Sequence, residues 1–591
     1  MKHVILVIAA IMAAVTCQAG TIYVNANGSG DYPTIQDAVN NANHGDVIIL
    51  HPGTYTGYGN RDIDFSGKAI TIQSTDPDDP NIVSATIIDC QSQKSDIHPN
   101  PHRGFVFDNN EMPDSVLSGL TITNGWGGEH LFEKSPAGIY FAGGGILCKN
   151  SSPTIIRCRV ISNTAIDLGG GICYWGGRPI ISQCIISNNT TCDYLLTGGI
   201  GRGGGIYGFG EGTIVNCTVT ENEAITAGGG IYCIDSKVSN CTIKNNTLTG
   251  TTSSSPGLPP RPGYVIPGYN VYGGGIYCSG NTQIVNCIIR ENIATAGPIR
   301  TPSIPLVACS AHGGGVFVLG RPAPSKVTIT NCTIRENSCE GGFGTMNRYL
   351  GSGRWEVFFG TGGDGLGGGV HCDPCEALSI SIANCLIVAN KSKGGQGGYT
   401  NYPDGNGFGG GVYCSGAVIK GTTFHANEAM DGAGIYGSPA VNNCILWDVV
   451  EQNSLPINEI SGEAAVQYSN VKNGYPGLGN IDSDPCFVSP GNWISIPIPP
   501  FPNPRPFPPL PPPDLIWMMG DYHLLPDSPC IDTGDPNYEP TEVETDLDGN
   551  RRVAAGRIDM GAYEYPNAIP VADAGPNQVA YAWLDGPRRS H

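Results

Sequence analysis

Glycine and cysteine recur in this sequence in a pattern that could support several kinds of chemistry. Residues 228–246 read GGGIYCIDSKVSNCTIKNN, with three glycines before two spaced cysteines. Glycine-rich loops can cradle phosphate, and spaced cysteines can bind zinc or form disulfides. The glycine triplet, with Gly-Ala-Gly as its last copy, occurs at 143–145, 169–171, 203–205, 228–230, 273–275, 313–315, 367–369, 409–411 and 432–434. A feature repeated this often is expected to be architectural.

Aromatic residues occupy a second repeated position, after the Ile or Val that follows the glycines. These candidate ligand-binding residues are Tyr207, Tyr232, Tyr277, Phe317, His371, Tyr413 and Tyr436. Rings at regular spacing can stack on sugars, or they can pack on one another under the loops as a structural ladder. Both interpretations remain open. The residue before the glycines adds Tyr272 and His312 as candidates; Arg202 is three repeats, about 14 Å, from His312, too far to act on one bond.

Acidic residues with the spacing of a calcium loop occur near the C-terminus. Asp546, Asp548 and Asn550 have this spacing, but the Glu that would close an EF-hand loop is missing. Asp-Gly-Asn is also a good hairpin turn. Ca²⁺ is therefore the one cofactor that the sequence suggests, and no catalytic residue is assigned.

The repeat that positions these residues predicts a β-solenoid. Residues 228–246 contain three short β-branched segments separated by glycine or asparagine bends. Such segments are too short for helices and suit three strands per turn. A chain that repeats this unit coils into stacked parallel strands, and equivalent residues form columns about 4.8 Å apart. We predict an all-β fold of this kind.

Stacking limits what the cysteines can do. One cysteine column is formed by Cys158, Cys184, Cys217, Cys241, Cys287, Cys332, Cys385 and Cys444, with Thr422 in the one gap. Stacked thiols would lie about 4.8 Å apart, whereas a disulfide needs Cβ atoms about 3.5–4.5 Å apart. A straight column cannot supply tetrahedral zinc ligands. We therefore predict mostly free, buried thiols that act as small hydrophobic groups.

Long insertions are concentrated at one corner of the coil. They lie between a column of asparagines, five residues beyond each bend cysteine, and the next glycine triplet. The insertions span residues 190–202, 247–272, 293–312, 338–366 and 391–408, and they are rich in Gly, Pro, Tyr and Ser. Since loops carry most binding sites, this corner is the predicted working face.

Composition and charge narrow the choice of partners. The chain has 591 residues and a formal net charge of −20, which excludes nucleic acid as a general partner because phosphate binding needs a basic face. Residues 1–19 are typical of a signal peptide, with polar Lys2 and His3, an apolar run at 4–15 and a small residue, Ala19, at the cleavage site. No later run reaches the ~18 apolar residues of a membrane helix. We expect a secreted or cell-surface monomer without a transmembrane segment in the mature chain.

Two stretches resemble right-handed parallel β-helix proteins. Residues 21–56, TIYVNANGSGDYPTIQDAVNNANHGDVIILHPGTYT, resemble the opening of members of the pectin lyase-like superfamily, and residues 34–43 are expected to form a capping amphipathic helix. Residues 104–125 with the glycine repeats resemble the right-handed β-helix repeat family. Residues 424–427 and 432–435 are similar to repeats of polymorphic outer-membrane proteins, which implies a surface or adhesive role. The catalytic motifs of pectin methylesterases and polygalacturonases do not follow, nor does the carboxylate cluster of pectate lyases.

The C-terminal part resembles a choice-of-anchor Q domain in residues 484–488, 521–525, 528–535 and 545–565. The resemblance implies an exported protein whose relatives end in a sorting or anchoring tail. A Pro-rich run at 496–514 interrupts it and is expected to form a polyproline II loop. The predicted divisions are a signal peptide (1–19), a cap with the first turns (20–142), repeats with insertions (143–470), the choice-of-anchor Q-like segment (471–566) and a linker with the start of a truncated PKD-like domain (567–591).

Three functions remain open at this stage. The first is an exported or surface-attached β-helix that binds polysaccharide or another cell-envelope component through its loop-bearing face. The second is a divergent polysaccharide lyase or related carbohydrate-active enzyme, and the third is an adhesin or structural surface protein. A carboxylate cluster, or a basic residue paired with Tyr in one cleft, would favour the lyase. A flat, uncharged loop face would favour binding or structure.

Overall fold

The chain coils into a long solenoid of parallel β-strands. The computed structural model describes residues 19–92, 100–131, 139–192, 201–251, 268–298, 307–321, 325–351, 354–373, 378–448, 458–495, 515–541, 544–553 and 556–566. The predicted signal peptide (apart from residue 19), the Pro-rich loop at 496–514 and the PKD-like segment at 567–591 lie outside these residues. Parallel pairing between successive turns dominates the described chain, as the repeat predicts.

Three sheets follow the axis of the solenoid, and most turns contribute one strand to each of them. The first sheet contains the strands that follow the glycine corner: Ile63–Asp64, Phe105–Phe107, Ile146–Lys149, Ile172–Trp175, Ile206–Phe209, Ile231–Ile234, Ile276–Ser279, Val316–Leu319, Val370–Asp373, Val412–Lys420, Ile435–Asn442 and Ile460–Ser461. The second contains Thr21–Val24, Val47–Leu50, Thr71–Ser74, Val116–Ser118, Thr154–Ile156, Ile180–Ser182, Thr213–Val215, Lys237–Ser239, Gln283–Val285, Ser325–Thr330, Leu378–Ala383 and Ala465–Gln467, and shares the two long strands that begin at Val412 and Ile435.

The third sheet follows the asparagine bend. Its strands are Gly53–Tyr55, Thr86–Asp89, Thr121–Thr123, Arg159–Ile161, Ile185–Ser187, Thr218–Thr220, Thr242–Lys244, Ile288–Arg290, Thr333–Arg335, Leu386–Val388, Thr423–His425, Ile445–Leu446 and Asn470–Val471. The bend residues adopt the left-handed conformation, as at Asn216 with φ 54° and Asn240 with φ 53°. Asparagine tolerates this conformation better than most residues, which explains its recurrence there.

The middle turns contain two short strands beyond the predicted three. A fourth sheet consists of Thr164–Ala165, Thr190–Thr191, Glu223–Ala224, Thr247–Leu248, Ile293–Thr295, Ser338–Glu340 and Lys391–Lys393. A fifth consists of Val271–Tyr272, Ala311–His312, Gly365–Leu366 and Gly407–Phe408. Both lie at the ends of the insertions. The insertions therefore begin and end as solenoid strands before they leave the coil.

Helix is confined, within the described ranges, to Ile35–Asn41 and Pro80–Ala85. The first is the predicted cap, shorter than residues 34–43. Thr34 is its N-cap and its Oγ1 accepts a hydrogen bond from the Asp37 N–H, while Ala42 has already left the helical conformation. Ile35, Ala38 and Val39 are fully buried, so the apolar face covers the open end of the coil.

Alternation places one face of every strand in a single core. Ile231 and Cys233 are fully buried there, and each buried aliphatic side chain stabilises the fold by about 1.5–3 kcal/mol. The predicted thiol column is present: Cys158 to Cys444 are buried, and the Cys184 N–H donates to Cys217 Sγ at 3.4 Å. A second column of buried cysteines follows the glycine corner and includes Cys233 and Cys278 on neighbouring rungs, and burial raises the pKa of Cys278 well above its usual range. These thiols act as core residues.

The asparagines beyond each bend cysteine form a continuous buried amide ladder. Each Oδ1 accepts the backbone N–H and an Nδ2–H of the preceding rung, as Asn246 does from Asn222 at 3.1 and 2.9 Å. The ladder residues are Asn163, Asn189, Asn222, Asn246, Asn292, Asn337, Asn390 and Asn427, and Asp448 is the last acceptor. Buried polar groups must be paired. The ladder supplies hydrogen-bond partners for the buried backbone N–H and side-chain amide groups at this corner.

The C-terminal segment turns back and packs along the outside of the solenoid. Its backbone bonds to the coil: the Asp535 N–H donates to Oδ1 of the bend residue Asn443 at 2.7 Å, and the Ala562 N–H donates to Oγ1 of the third-sheet residue Thr423 at 2.9 Å. Four antiparallel hairpin pairings complete the strands: Glu129–Leu131 with Ile139–Phe141, Thr345–Gly351 with Arg354–Phe359, Phe487–Ser489 with Asp521–Leu524, and Asn492–Ser495 with Leu515–Met518. No helix in the described ranges is long and apolar enough to cross a membrane.

Candidate functional site

Aromatic rings on the outer face of the first sheet stack on one another along the solenoid. Tyr207 and Tyr232 are 4.8 Å apart between ring centroids and within 10° of parallel, and Tyr232 and Tyr277 are 4.2 Å apart and within 7°. Phe317, His371, Tyr413 and Tyr436 continue the same column at 4.7–5.4 Å. We call this column the ring ladder. The in-register strand pairing imposes its spacing.

Burial closes most of the ring ladder to a ligand. The exposed fraction is 4% for Tyr207, 5% for Tyr232, 7% for Tyr277, 1% for Phe317 and 5% for His371. Each ring face is covered by the next ring, so no face is left for a sugar. The structure therefore shows the packed arrangement for these five residues, and this burial disfavours their predicted role as ligand-binding residues. Tyr413 and Tyr436, near the end of the ladder, remain partly exposed.

The column before the glycines packs beside the ring ladder. Tyr272 and His312 stack at 4.8 Å and are both partly exposed, so they remain candidates for ligand contact. Burial lowers the pKa of His312 to about 4, so its imidazole is neutral at pH 7. Arg202 lies over the Tyr232 ring at 5.5 Å. Strand register confirms that three rungs separate Arg202 from His312.

The long insertions form tightly packed layers of glycine backbone. The Gly398 N–H donates to the Gly360 carbonyl at 2.9 Å, and the Gly360 N–H donates to the Gly344 carbonyl at 2.8 Å. A Cβ on Gly398 would lie 2.0 Å from the Gly344 carbonyl oxygen, so these layers require glycine. The insertion corner is therefore a hydrogen-bonded platform in its described part.

Four aromatic side chains project from these layers into solvent. Phe343 is 48% exposed, Phe359 37%, Tyr399 64% and Tyr402 41%. Phe343 and Phe359 adjoin the packed glycines 344 and 360, and Tyr399 adjoins Gly398. Phe359 and Tyr399 are 5.7 Å apart between ring centroids, and the Tyr402 N–H donates to the Tyr399 carbonyl at 2.8 Å. We call these four residues the exposed aromatic cluster.

Hydrogen bonds and nearby charges define the surroundings of this cluster. Asp404 is exposed, and its Oδ1 accepts the Gly397 N–H at 2.7 Å, which fixes the turn that carries Tyr399 and Tyr402. Lys393 is paired with Glu340 at 2.9 Å. The repeat pattern of the sequence does not point to this cluster, because its members do not share a repeat position. The only available signal was the Tyr, Phe and Gly content of the insertions.

The residues predicted to bind calcium have other partners. The Asp546 carboxylate accepts the Asn550 N–H at 2.7 Å, the Asp548 N–H at 3.0 Å and the Glu564 N–H at 3.0 Å, and the side chain is fully buried. Asp548 pairs with His523 Nε2 at 2.6 Å. This arrangement is the hairpin turn that was the alternative interpretation. Within the described ranges, no group of three or more His, Cys, Asp or Glu side chains could hold a metal ion.

One family model and several solved structures are similar to this chain. Residues 128–292 match the family described as "Right handed beta helix region", which confirms the expected right-handed parallel β-helix. Among curated proteins, none matches the chain. Similar solved structures are pectate lyase Pel9A (14% identity, 92% of this chain and 96% of that chain, TM-score 0.33) and XylC in complex with xylose (10%, 80% and 87%, 0.31). A rhamnogalacturonan lyase structure is also similar (12%, 80% and 91%, 0.23).

Proposed function

We propose that this protein binds a neutral polysaccharide through the exposed aromatic cluster. The observation that carries the proposal is the exposure of Phe343, Phe359, Tyr399 and Tyr402 on packed glycine layers. Isolated exposed apolar residues need no explanation, but four exposed rings beside packed glycine layers, two of them 5.7 Å apart, favour a binding site.

Aromatic rings suit sugars because the apolar face of a pyranose can lie on the face of a ring while a phenol hydroxyl reaches a sugar hydroxyl. Tyr399 and Tyr402 supply both features, and Phe359 adds a ring 5.7 Å from Tyr399. Their backbone is hydrogen-bonded to the layers below, so binding orders little additional chain. The ring ladder offers no open ring face to a sugar, because neighbouring rings of the ladder cover each other.

Charge favours an uncharged glycan over a uronic acid polymer. Asp404 is exposed beside Tyr402, and the nearby Lys393 is paired with Glu340. The whole chain carries a net charge of −20, which repels a polyanion wherever local Lys or Arg side chains do not offset it. We further propose that the protein acts outside the cell or on its surface. The signal-peptide pattern at 1–19 and the resemblance to choice-of-anchor Q proteins support this location.

Affinity electrophoresis tests the proposal with neutral and uronic acid polysaccharides embedded in the gel. We expect at least one neutral polysaccharide to retard the wild-type chain, and Y399A to migrate freely in the same gel. Y58A is the matched control because Tyr58 is 98% exposed in the N-terminal cap. Equal retardation of wild type and Y399A, or retardation by no neutral polysaccharide, would contradict the proposal.

The lyase remains an alternative, and the same panel addresses it. A lyase would produce new absorbance near 235 nm as unsaturated uronic acid products form, with or without added Ca²⁺. Retention without cleavage favours binding. An adhesin or a structural protein would show neither retention nor cleavage with soluble glycans.

A further inference from the structure

The bend between the second and third sheets forms a row of aligned residues on the outer surface of the solenoid, with a cavity at its N-terminal end. Strand register aligns one left-handed residue per rung, with Gly421 in one of them: Arg157, Gln183, Asn216, Asn240, Asn286, Asn331, Asn384 and Asn443. We call this the bend groove. It is separate from the insertion corner because it adjoins different sheets.

The C-terminal part of the bend groove is occupied by a segment of the same chain. Asn331 Nδ2 donates to Thr545 Oγ1 at 2.9 Å, and Asn384 Nδ2 donates to the Thr545 carbonyl at 2.8 Å. Further along, the Asp535 N–H donates to Asn443 Oδ1 at 2.7 Å. The segment therefore runs along the solenoid axis, and the bend amides bind its backbone and side chains.

The N-terminal end of the groove is covered by a different acidic segment. Asp78 pairs with Arg157 Nε at 2.7 Å. Pro77 packs on the preceding rung, where a Cβ on Gly119 would lie 2.5 Å from Pro77 Cα. Both covered ends thus accept irregular backbone, and the N-terminal end also accepts a carboxylate side chain.

Between these covers the groove is open. Gln183, Asn216, Asn240 and Asn286 are exposed, and next to them Ile288 is 43% exposed. Five rungs separate Arg157 from Asn331, which corresponds to about 24 Å, or about seven residues of extended chain. The open stretch repeats the amide chemistry of the covered stretch and is continuous with it.

A cavity at the N-terminal end of the open stretch adds positive charge. Its volume is about 330 Å³, and its lining includes Asp78, Arg157, Arg159, Gln183, Ile185 and Asn216. Asp78 is paired with Arg157, so Arg159 supplies the remaining positive charge. Arg159 Nε is shielded from solvent and donates to no acceptor among the described residues. A buried guanidinium N–H without an acceptor favours binding of an anion, and a carboxylate is the matching group.

We propose that the open bend groove, from Arg157 to Asn286, binds an extended acidic segment of a partner protein, with one carboxylate in the Arg159 cavity. The bend amides bond the partner's backbone as they bond Thr545. Ile185 and Ile288 contact its apolar side chains. The proposal does not depend on the glycan site, because the two surfaces share no residue.

Binding of a labelled peptide to the full chain tests the proposal. The probe is DPNYEPTEVETD, the sequence of residues 535–546, in which Asp535 and Thr545 already bond to bend residues further along the same groove. Its matched control is NPNYQPTQVQTN, in which every carboxylate side chain becomes an amide. Fluorescence anisotropy is measured at low and high salt with wild type, R159Q and R178Q. Arg178 is an exposed arginine that pairs with Glu211 on another surface.

We expect the acidic peptide to bind wild type and R178Q with affinities within about twofold of each other, and R159Q about tenfold or more weakly. High salt should weaken binding to wild type, and the amide peptide should bind as weakly as the acidic peptide binds R159Q. Circular dichroism and the thermal midpoint show whether R159Q is folded. If R159Q is not folded, the proposal is tested with wild type alone, by comparing the acidic with the amide peptide and low with high salt.

Two results would overturn the proposal. One is equal binding of the acidic and amide peptides to wild type, or no binding of either. The other is binding of a uronic acid oligosaccharide that R159Q abolishes while the peptide does not bind, which would assign the cavity to a sugar acid.

Discussion

Replacing Asn246 by Ala tests whether the buried amide ladder stabilises the middle of the solenoid. Asn246 Oδ1 accepts the Asn222 backbone N–H at 3.1 Å and the Asn222 Nδ2–H at 2.9 Å. Its own Nδ2 donates to the Val219 carbonyl at 3.0 Å and to Asn292 Oδ1 at 2.9 Å. Asn246 is fully buried, so water cannot replace these partners without opening the rung.

The structure sets the size of the effect. In N246A the two Asn222 donors lose their acceptor in a buried site, since Asn222 is 1% exposed. Each buried donor without a partner costs about 1–3 kcal/mol, so we expect a loss of about 2–6 kcal/mol in the free energy of unfolding. The cavity left by the amide adds to this loss.

The assay must report the local stability of individual turns, because repeat proteins can unfold locally. Amide hydrogen exchange followed by mass spectrometry should show faster exchange in the strands Thr218–Thr220, Thr242–Lys244 and Ile288–Arg290. N240G is the matched control on the same turn: Asn240 is exposed with φ 53°, a conformation that glycine adopts readily. The reasoning fails if N246A and N240G exchange alike and unfold within about 1 kcal/mol of each other.

Three further predictions follow from packing, burial and metal chemistry. Y232A should lower the free energy of unfolding by about 3–5 kcal/mol, and below its unfolding temperature it should still be retarded by the glycan. If Y232A is folded but is no longer retarded, the ring ladder takes part in binding. Burial raises the pKa values of Asp448 and, well above its usual range, Glu459. Their protonated forms are favoured on folding, so this stability is fully present below the ordinary carboxyl pKa and is lost as pH rises through the raised values. The thermal midpoint of D448N should therefore fall less between pH 5 and pH 8 than that of wild type, and an equal fall would contradict the raised pKa of Asp448. Ca²⁺ or EDTA should shift the thermal midpoint of wild type by less than about 1 °C, because the Asp546 carboxylate already accepts hydrogen bonds from backbone N–H groups. A clear Ca²⁺-dependent rise in the midpoint that is absent in D546N would instead support a calcium site.

The repeated positions were predictable from sequence since one stacking rule governs all of them. Glycine triplets, bend asparagines such as Asn240 and core cysteines such as Cys241 each occur once per turn, so their periodicity reports the coil directly. The capping helix was predictable for the same kind of reason, as the apolar spacing of Ile35, Ala38 and Val39 indicates one buried face.

Exposure of the ring ladder was not predictable from alternation alone. Tyr232 does lie on the outer face of its strand, but its neighbours Tyr207 and Tyr277 cover both faces of its ring. Alternation gives the side of a sheet and says nothing of what covers that side. The turn at Asp546 shows a related limit: the spacing suits a cation, but the carboxylate is used by local N–H donors.

The exposed aromatic cluster depends on tertiary placement that no periodicity encodes. Phe359 and Tyr399 come from different insertions, and their rings lie 5.7 Å apart because glycines 360 and 398 allow the two backbones to touch. The bend groove is similar, since its covered and open parts differ only in whether a distant segment lies on them.

Titration calorimetry of the retained neutral polysaccharide against wild type, Y399A and Y402A tests the central claim most directly. Loss of one stacked ring is expected to cost about 1.4 kcal/mol, so each variant should bind about tenfold more weakly while Y58A binds as wild type does. Unchanged affinity in both variants, with their thermal midpoints preserved, would contradict the assignment of glycan binding to this cluster.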